Sequence, residues 1–406
     1  MLAALAAVAA TGAAFAQSTV TLFGGADLNM RSVTTGANKF NGMAQDGIYS
    51  SRFGVNGTED LGGGLKANFH FEGGMAPDVG TPAVNFTRKS VIGLSGGFGE
   101  VRLGRDYTPL FTVAGIADPF GTNGVGSSYN LANVITAGDP TETNDQNAYL
   151  AKVAAAASSF ATAQAASVSN GATNRLSSGI TLADPNAVRA NNSVAYYSPT
   201  FNGFTVSGMY SFGGENTALA KNAGTATSLK LAYANGPLSV AFATQTTKGG
   251  APGANAAIAA VAPYPAIPAN TVVAATADQK WTSNFIAASY DLGVAKLSAG
   301  YKTDKLAFGD LDLSGTAKST ILGVSAPVGA LTLKASYVAR KIEGEKLGNQ
   351  VALGGVYDLS KRTALYATYA VLKNEAGSGL SVGSAAASDF TGLKSKGFEA
   401  GVKHSF

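Results

Sequence analysis

Chemistry that needs an imidazole or a thiol has little to work with in this chain of 406 residues, which carries two histidines, His70 and His404, and no cysteine. His70 lies between Phe69 and Phe71 in an alternating segment, and His404 lies in another, so both are read as structural. No Ser-His-Asp set, HExxH run or metal-ligand spacing occurs. Neither an enzymatic activity nor a cofactor is expected. Glycine runs such as Leu61-Gly62-Gly63-Gly64-Leu65 are read as hairpin turns, because no strand-to-helix phosphate motif follows them. What remains is charge held at fixed positions. Arg52 alternates with Phe53 and Val55. In a strand crossing a membrane, an arginine on the lipid face costs about 2–4 kcal/mol. Arg52 is therefore expected to face water, where it would steer ions rather than transform them.

The elements that would hold such a charge are strands. The clearest is 331–340, where odd positions read Leu, Leu, Ala, Tyr, Ala and even positions read Thr, Lys, Ser, Val, Arg. Successive strand side chains point to opposite faces, so one face is oily and the other wet. Phe204-Val206-Gly208-Tyr210, Leu365-Ala367-Tyr369-Val371 and Phe398-Ala400-Val402 repeat the pattern. Only 13% of residues are charged, with 51 glycines, against about 25% charged in ordinary soluble domains. A net charge of +4 spread over the whole chain is no nucleic-acid footprint.

Loop spacing separates a membrane barrel from a soluble sandwich. Short connections at 59–63, 96–99, 198–203, 235–237, 291–294, 327–329 and 358–361 alternate with long polar segments near 32–48, 75–86, 107–188, 213–227, 248–280, 304–317, 341–348 and 373–395. Tight turns on one side and long loops on the other are what an up-and-down transmembrane barrel requires. Sixteen strands are expected, the first at 18–31, the second at 49–58 and the last at 396–406. An even number lets the last strand pair with the first, and closure leaves no edge unpaired in hydrocarbon. Tyr233, Tyr290, Tyr301, Tyr337, Tyr357 and Tyr369 fit an interfacial aromatic girdle.

Residues 1–16, MLAALAAVAATGAAFA, form an uncharged apolar run ending in Ala14-Phe15-Ala16, read as a signal peptide cleaved before Gln17. No basic residue precedes that run. The Ala-rich stretches 151–168 and 254–277 carry polar residues or prolines that disqualify them as spanning helices.

The run 51–67, SRFGVNGTEDLGGGLKA, resembles the second strand, turn and third strand of Gram-negative general porins of the neisserial and beta-proteobacterial type. Val91–Gly99, Gly104-Arg105-Asp106-Tyr107-Thr108-Pro109, Asn191–Pro199 and Gly401–Phe406 resemble further strands of that family in the same order. The resemblance implies an all-β, 16-stranded antiparallel transmembrane barrel over 17–406, with a third loop (107–188) folded into the pore. It implies an outer-membrane location, passage of small hydrophilic solutes and ions, contact with outer-membrane lipid and the barrel assembly machinery, and a homotrimer. It also implies an arginine ladder, carried here by Arg52, Arg88 and Arg189, facing an acidic loop motif at Ala117-Asp118-Pro119-Phe120-Gly121. Arg31 and Lys89 are further candidates, and Asp106 is expected to pair with a neighbouring base. Phe406 would be the assembly signal, and Gly24, Ala26 and Ala400 would allow close contact between barrels. With one loop carboxylate, Asp118, against three arginines, modest anion preference is expected. The acidic residues Asp139, Glu142, Asp145 and Asp184 would reverse it if they folded inward. The long third loop, with its Ala-rich insert near 148–183, and the Pro-rich fifth loop leave a substrate-selective channel as the alternative.

Overall fold

The computed structural model describes residues 18–80, 85–132, 184, 186–213, 224–248, 279–308, 313–342, 344–375, 380–383 and 392–406. The expected signal peptide, the whole Ala-rich insert near 148–183 and the prolines of the fifth loop lie outside them, as do Asp139, Glu142 and Asp145.

One antiparallel sheet closes on itself. Its strands are β1 (Thr19–Thr35), β2 (Asn38–Gln45), β3 (Arg52–Gly62), β4 (Leu65–Gly74), β5 (Lys89–Gly96) and β6 (Gly99–Tyr107). They continue with β7 (Arg189–Tyr197), β8 (Phe204–Phe212), β9 (Thr225–Asn235), β10 (Leu238–Lys248), β11 (Gln279–Asp291) and β12 (Lys296–Phe308). The last are β13 (Leu313–Val328), β14 (Leu331–Ile342), β15 (Glu345–Asp358), β16 (Thr363–Asn374) and β17 (Lys394–Ser405). Sequence neighbours pair throughout except β2 and β3, and β1 pairs with β17 from Gly25↔Ser405 to Thr35↔Ser395, which seals the cylinder.

Seventeen strands fill sixteen places in the wall. β2 and β3 both pair with β1, β2 beside residues 28–35 and β3 beside residues 19–25, so together they form one interrupted stave. This corrects the reading of 32–48 as a loop: β1 runs on to Thr35, turns through Gly36 and Ala37, and returns as β2. Gly36 takes φ +59°, which permits the tight turn. The connections expected at 304–317 and 341–348 are also shorter than read, because β12, β13, β14 and β15 extend past the bilayer-length core of each strand.

Alternation holds where it was expected. On β14, Leu333, Tyr337 and Lys341 are exposed, whereas Ser336, Val338 and Arg340 are buried inside the barrel. Val20, Leu22, Ile92, Leu231, Phe242, Ile286, Leu322 and Leu353 form part of the outward apolar belt. Tyr290, Tyr301, Tyr337, Tyr357 and Tyr369 are all exposed on that face. Such a surface is stable only against lipid. Among the described residues no helix is long and apolar enough to cross a membrane.

The core sits inside the cylinder. After β6 the chain enters the lumen and makes three single-turn helices, α1 (Pro109–Thr112), α2 (Ala114–Ala117) and α3 (Tyr129–Ala132). Thr108 caps α1, accepting the Phe111 N–H at 3.2 Å, and Pro109 occupies its first turn. Leu110, Val113, Ala114, Ala117, Phe120, Val125 and Leu131 are buried against inward residues of the wall, among them Ala241, Phe285, Ile321, Val338 and Leu372. Removing this apolar surface from water is what holds the loop inside a water-facing cylinder.

Candidate functional site: a basic wall facing the third loop

Polar anchors fix the loop in one pose. Its backbone is bound by side chains from five staves: Ser228 Oγ accepts the Leu110 N–H, Ser298 Oγ donates to Ala117 O, and Gln350 Nε2 donates to Ser127 O. Arg340 donates to Ala132 O at 2.8 Å and ion-pairs with Asp304 at 3.2 Å. Glu399 accepts the Val125 N–H at 3.1 Å while bound to Arg31 at 2.9 Å. Arg31 is thereby spent as a loop anchor, since it also donates to Gln45 O.

The three expected arginines come together on the staves that the loop leaves bare. Arg52 stands at the start of β3, Arg88 just before β5 and Arg189 at the start of β7. Glu72, inward-facing on β4, accepts from Arg88 Nε at 2.7 Å and lies 3.5 Å from Arg52 Nη1. The Tyr107 hydroxyl then accepts from Arg88 Nη2 at 2.8 Å and from Arg189 Nη2 at 2.7 Å. The result is a continuous chain, Arg52–Glu72–Arg88–Tyr107–Arg189, in which three guanidinium groups stand with one carboxylate that touches two of them. Two aromatic faces complete the support: Arg189 lies 4.3 Å from the Tyr107 ring centroid, and Arg52 lies 4.3 Å from that of Tyr49. Phe111 of α1 also stacks on Tyr107 with centroids 5.0 Å apart, linking loop and wall.

Next along the wall, Asp106 binds Lys89 at 3.1 Å and Arg102 at 3.0 Å, and Arg102 also binds Glu100 at 2.8 Å. That group is balanced, two cations to two carboxylates. It borders a recess of about 320 Å³ lined by Asn56, Asn68, His70, Ser95 and Arg102. His70 packs on Phe23 at 5.1 Å and its Nε2 lies 3.5 Å from Glu72.

Asp118 stands elsewhere than expected. The sequence reading set it on the loop opposite the arginines, but its carboxylate turns back into the loop. It accepts the N–H groups of Phe120, Thr122 and Ser128 at 2.8, 3.2 and 2.8 Å and is 4% exposed. Burial pushes its pKa up, and those amide donors oppose the rise. Among the described residues of the loop, Thr112, Gly115, Ile116, Gly121, Thr122 and Asn123 are open to the lumen, and none of these is charged. Asp184 is likewise tied down, to Asn186 N–H and Gln245.

Sequence reasoning missed Glu72, Tyr107 and Tyr49. Glu72 carried a usable signal, since it shares inward parity with Asn68 and His70 between the outward Phe69 and Phe71. Tyr107 carried none, because its partners Arg88 and Arg189 come from other parts of the chain, and Tyr49, although only three residues from Arg52, precedes the strand and has no parity to read. Among the described residues no group of three or more potential metal ligands occurs.

Comparison with known proteins agrees with this architecture. The model of the Gram-negative porin family matches residues 3–377. The chain is 35% identical to outer membrane porin protein 32 of Delftia acidovorans, over 99% of this chain and 98% of that protein. It is 28% identical to an outer membrane porin protein of Bordetella pertussis, over 89% and 91% of the two chains. Among solved structures, an anion-selective porin from Comamonas acidovorans aligns with 30% identity and a TM-score of 0.70, covering 96% of this chain and all of that one (100%).

Proposed function

Since the chain belongs to the Gram-negative porin family and forms a passive diffusion channel in the outer membrane, we propose that its Arg52, Arg88 and Arg189 line the constriction and make it anion-preferring. The observation that carries this is the charge count among the described residues: three arginines grouped with one carboxylate, Glu72, opposite loop residues of 107–132 that are uncharged where they are open to the lumen. Low-dielectric walls focus that field on the water between them. The selectivity named for the porin from Comamonas acidovorans points the same way. In a planar bilayer under a dilute KCl gradient, the zero-current potential should carry the anion-selective sign. It should shrink as salt rises and the screening length falls from about 10 Å at 0.1 M to about 3 Å at 1 M. A cation-selective sign in dilute salt would overturn the assignment.

Asp118 takes a different part in this proposal from the one first expected of it: it shapes the loop and does not offset the arginines. A general size-limited channel is favoured over a substrate-selective one, because among the described residues charge rather than a shaped cavity distinguishes the constriction. Liposome swelling should then decline smoothly with solute size.

Assembly completes the proposal. Residues 1–16 act as the export signal, the barrel assembly machinery inserts the chain among outer-membrane lipids, and three copies associate. Ala26 and Ala400 share the outward parity of β1 and β17 and are small enough for barrels to approach there, whereas Gly24, of the same parity, lies under another side chain of this barrel. Phe406 pairs with Gly24 through both backbone bonds, N–H to O at 3.0 and 3.2 Å, and its ring covers that glycine. Deleting Phe406 is expected to reduce heat-modifiable barrel on unboiled gels to a small fraction of wild type. Undiminished barrel would refute its role as the assembly signal.

A further inference from the structure

A buried acid behind the basic wall has no part in the channel described so far. Asp27 faces inward on β1 and is 0% exposed. Lys403 stands directly opposite it on β17, yet its ammonium lies over the Tyr49 ring, 5.5 Å from the centroid. Among the described residues Asp27 forms no ion pair. Three neutral donors hold the carboxylate instead. Its Oδ2 accepts the Ile48 and Tyr49 N–H groups, both at 2.8 Å, and its Oδ1 accepts the Tyr366 hydroxyl of β16. Bonds to an ionised acceptor are roughly twice as strong as neutral ones. The main chain of Asp27 adds to the hold: its O accepts the Asp46 N–H at 3.2 Å, and its N–H donates to Ser51 Oγ at 3.0 Å. The segment 46–51, between β2 and β3, is thereby wrapped around one residue.

What that segment carries belongs to the pore. The Tyr49 ring lies against Gly25 of β1, where a Cβ would come within 3.0 Å of its Cε1. Arg52 stands 4.3 Å from the ring centroid, so the ring joins Lys403 to the arginine wall. Ser50 O accepts from Arg52 Nε at 2.8 Å, and Ser50 Oγ donates to Asn123 Oδ1 of the third loop at 2.7 Å. Wall, loop and two cations of the lumen therefore lean on one short segment that belongs to no strand. Its own support is Asp27.

We propose that Asp27 is a positioning residue for anion selectivity: it holds segment 46–51 so that Tyr49 and Ser50 keep Arg52 and Lys403 in place at the constriction. This rests on the anion preference proposed above and names what keeps part of it in register. The role runs opposite in sign to the charge of the residue. A carboxylate in the wall attracts cations, so by its field alone its removal would raise the anion-to-cation ratio. By positioning, its removal lowers that ratio, because the segment and the two cations on it lose their fixed place. Asparagine separates the two effects. Its carbonyl can accept both N–H groups and its amide can donate to the Tyr366 oxygen, so the hold survives without the charge.

The test reads the zero-current potential of the native channel in a planar bilayer under a dilute KCl gradient. Asp27→Ala and Tyr49→Ala should each lose about threefold of the anion-to-cation ratio, the share of one displaced unit charge. The double variant should lose no more than either single one, since both act through the same ring. Asp27→Asn should retain most of the wild-type ratio. A rise of the ratio in both Asp27 variants would overturn the proposal, because the carboxylate would then act by its charge. So would a wild-type ratio in Asp27→Ala, or losses that multiply in the double variant. Where Asp27→Ala gives no heat-modifiable barrel, Tyr366→Phe decides. It removes one donor to Asp27 and leaves every charge in place, so a lowered ratio supports the proposal and a wild-type ratio overturns it. A cation-selective wild type would sink the anion preference and this proposal together. An anion-selective wild type with an unchanged Asp27→Ala sinks the positioning role alone.

Discussion

A channel carrying Arg52→Ala, Arg88→Ala and Arg189→Ala is expected to lose about tenfold of its anion-to-cation permeability ratio in dilute salt and little of it in molar salt. A unit charge about 6 Å from an ion changes its energy by roughly 0.7 kcal/mol in a water-like dielectric, about threefold in occupancy. Three such charges multiply to tens-fold before screening, and counter-ions at 0.1 M reduce that. The ratio should fall toward unity and stop there, because Lys403 and Lys230 remain in the lumen, the former over the Tyr49 ring and the latter bound to Thr112. Replacing the same three residues by lysine should keep the sign. It should weaken the preference, because a lysine cannot donate to Glu72 or Tyr107 while also stacking on an aromatic face. Tyr107→Phe is the sharper control. It removes the acceptor shared by Arg88 and Arg189 but leaves every charge in place, so it tests whether position or charge count sets selectivity. The reversal potential under a KCl gradient reads all three.

The wall of this molecule was legible in its sequence because two solvents impose two different faces on each strand. Lipid on one side and water on the other leave a period-two record, and the strands from Arg189 to Asp358 fall within a few residues of where that record places them. β2 escaped because it lies above the hydrocarbon. There its outward residues, Lys39, Asn41 and Met43, need not be apolar, and the segment reads as an ordinary polar loop. The same reason hid the outer ends of β12 to β15.

The site divides along a similar line. Arg52 was legible because it lies inside a strand whose parity is fixed by Phe53 and Val55. Arg88 precedes β5, where parity no longer applies, and its place in the cluster is set by Glu72 and Tyr107. Only the resemblance brought it forward. Asp118 shows the limit most clearly. Its position in the chain was right, but the direction of a carboxylate in a loop depends on which amides are free nearby. Phe120, two residues on, supplies the first of these, a local turn that Asp commonly makes and that a closer reading of Asp-Pro-Phe could have weighed.

The loop's seat on the wall supplies the second large effect. Pro119 rests on Gly323 of β13 so closely that a Cβ built there would lie 2.6 Å from its Cδ, and Ala117 and Phe120 rest on Gly300 and Gly354 at 2.7 and 3.0 Å. The wall cannot give way at Gly323, because the strand is hydrogen-bonded to β12 and β14 on both sides. The corner Asp118–Phe120 therefore has to move, and the free space lies toward the lumen. Gly323→Val is expected to cost about 1–3 kcal/mol of overpacking and to push that corner toward Arg52 and Arg88. Single-channel conductance should fall by half or more, while heat-modifiability shows that the barrel still closes. Gly329→Val provides the contrast, because Gly329 lies in the short turn after the same strand with nothing within 4 Å of its Cβ position. Its φ of +62° would strain the turn, yet the pore should conduct normally. If Gly323→Val conducts like wild type, the loop is not seated by this contact. If it conducts more, the loop has left the lumen altogether, and the apolar burial of Leu110, Val113 and Phe120 is weaker than the seat that three glycines prepare for them.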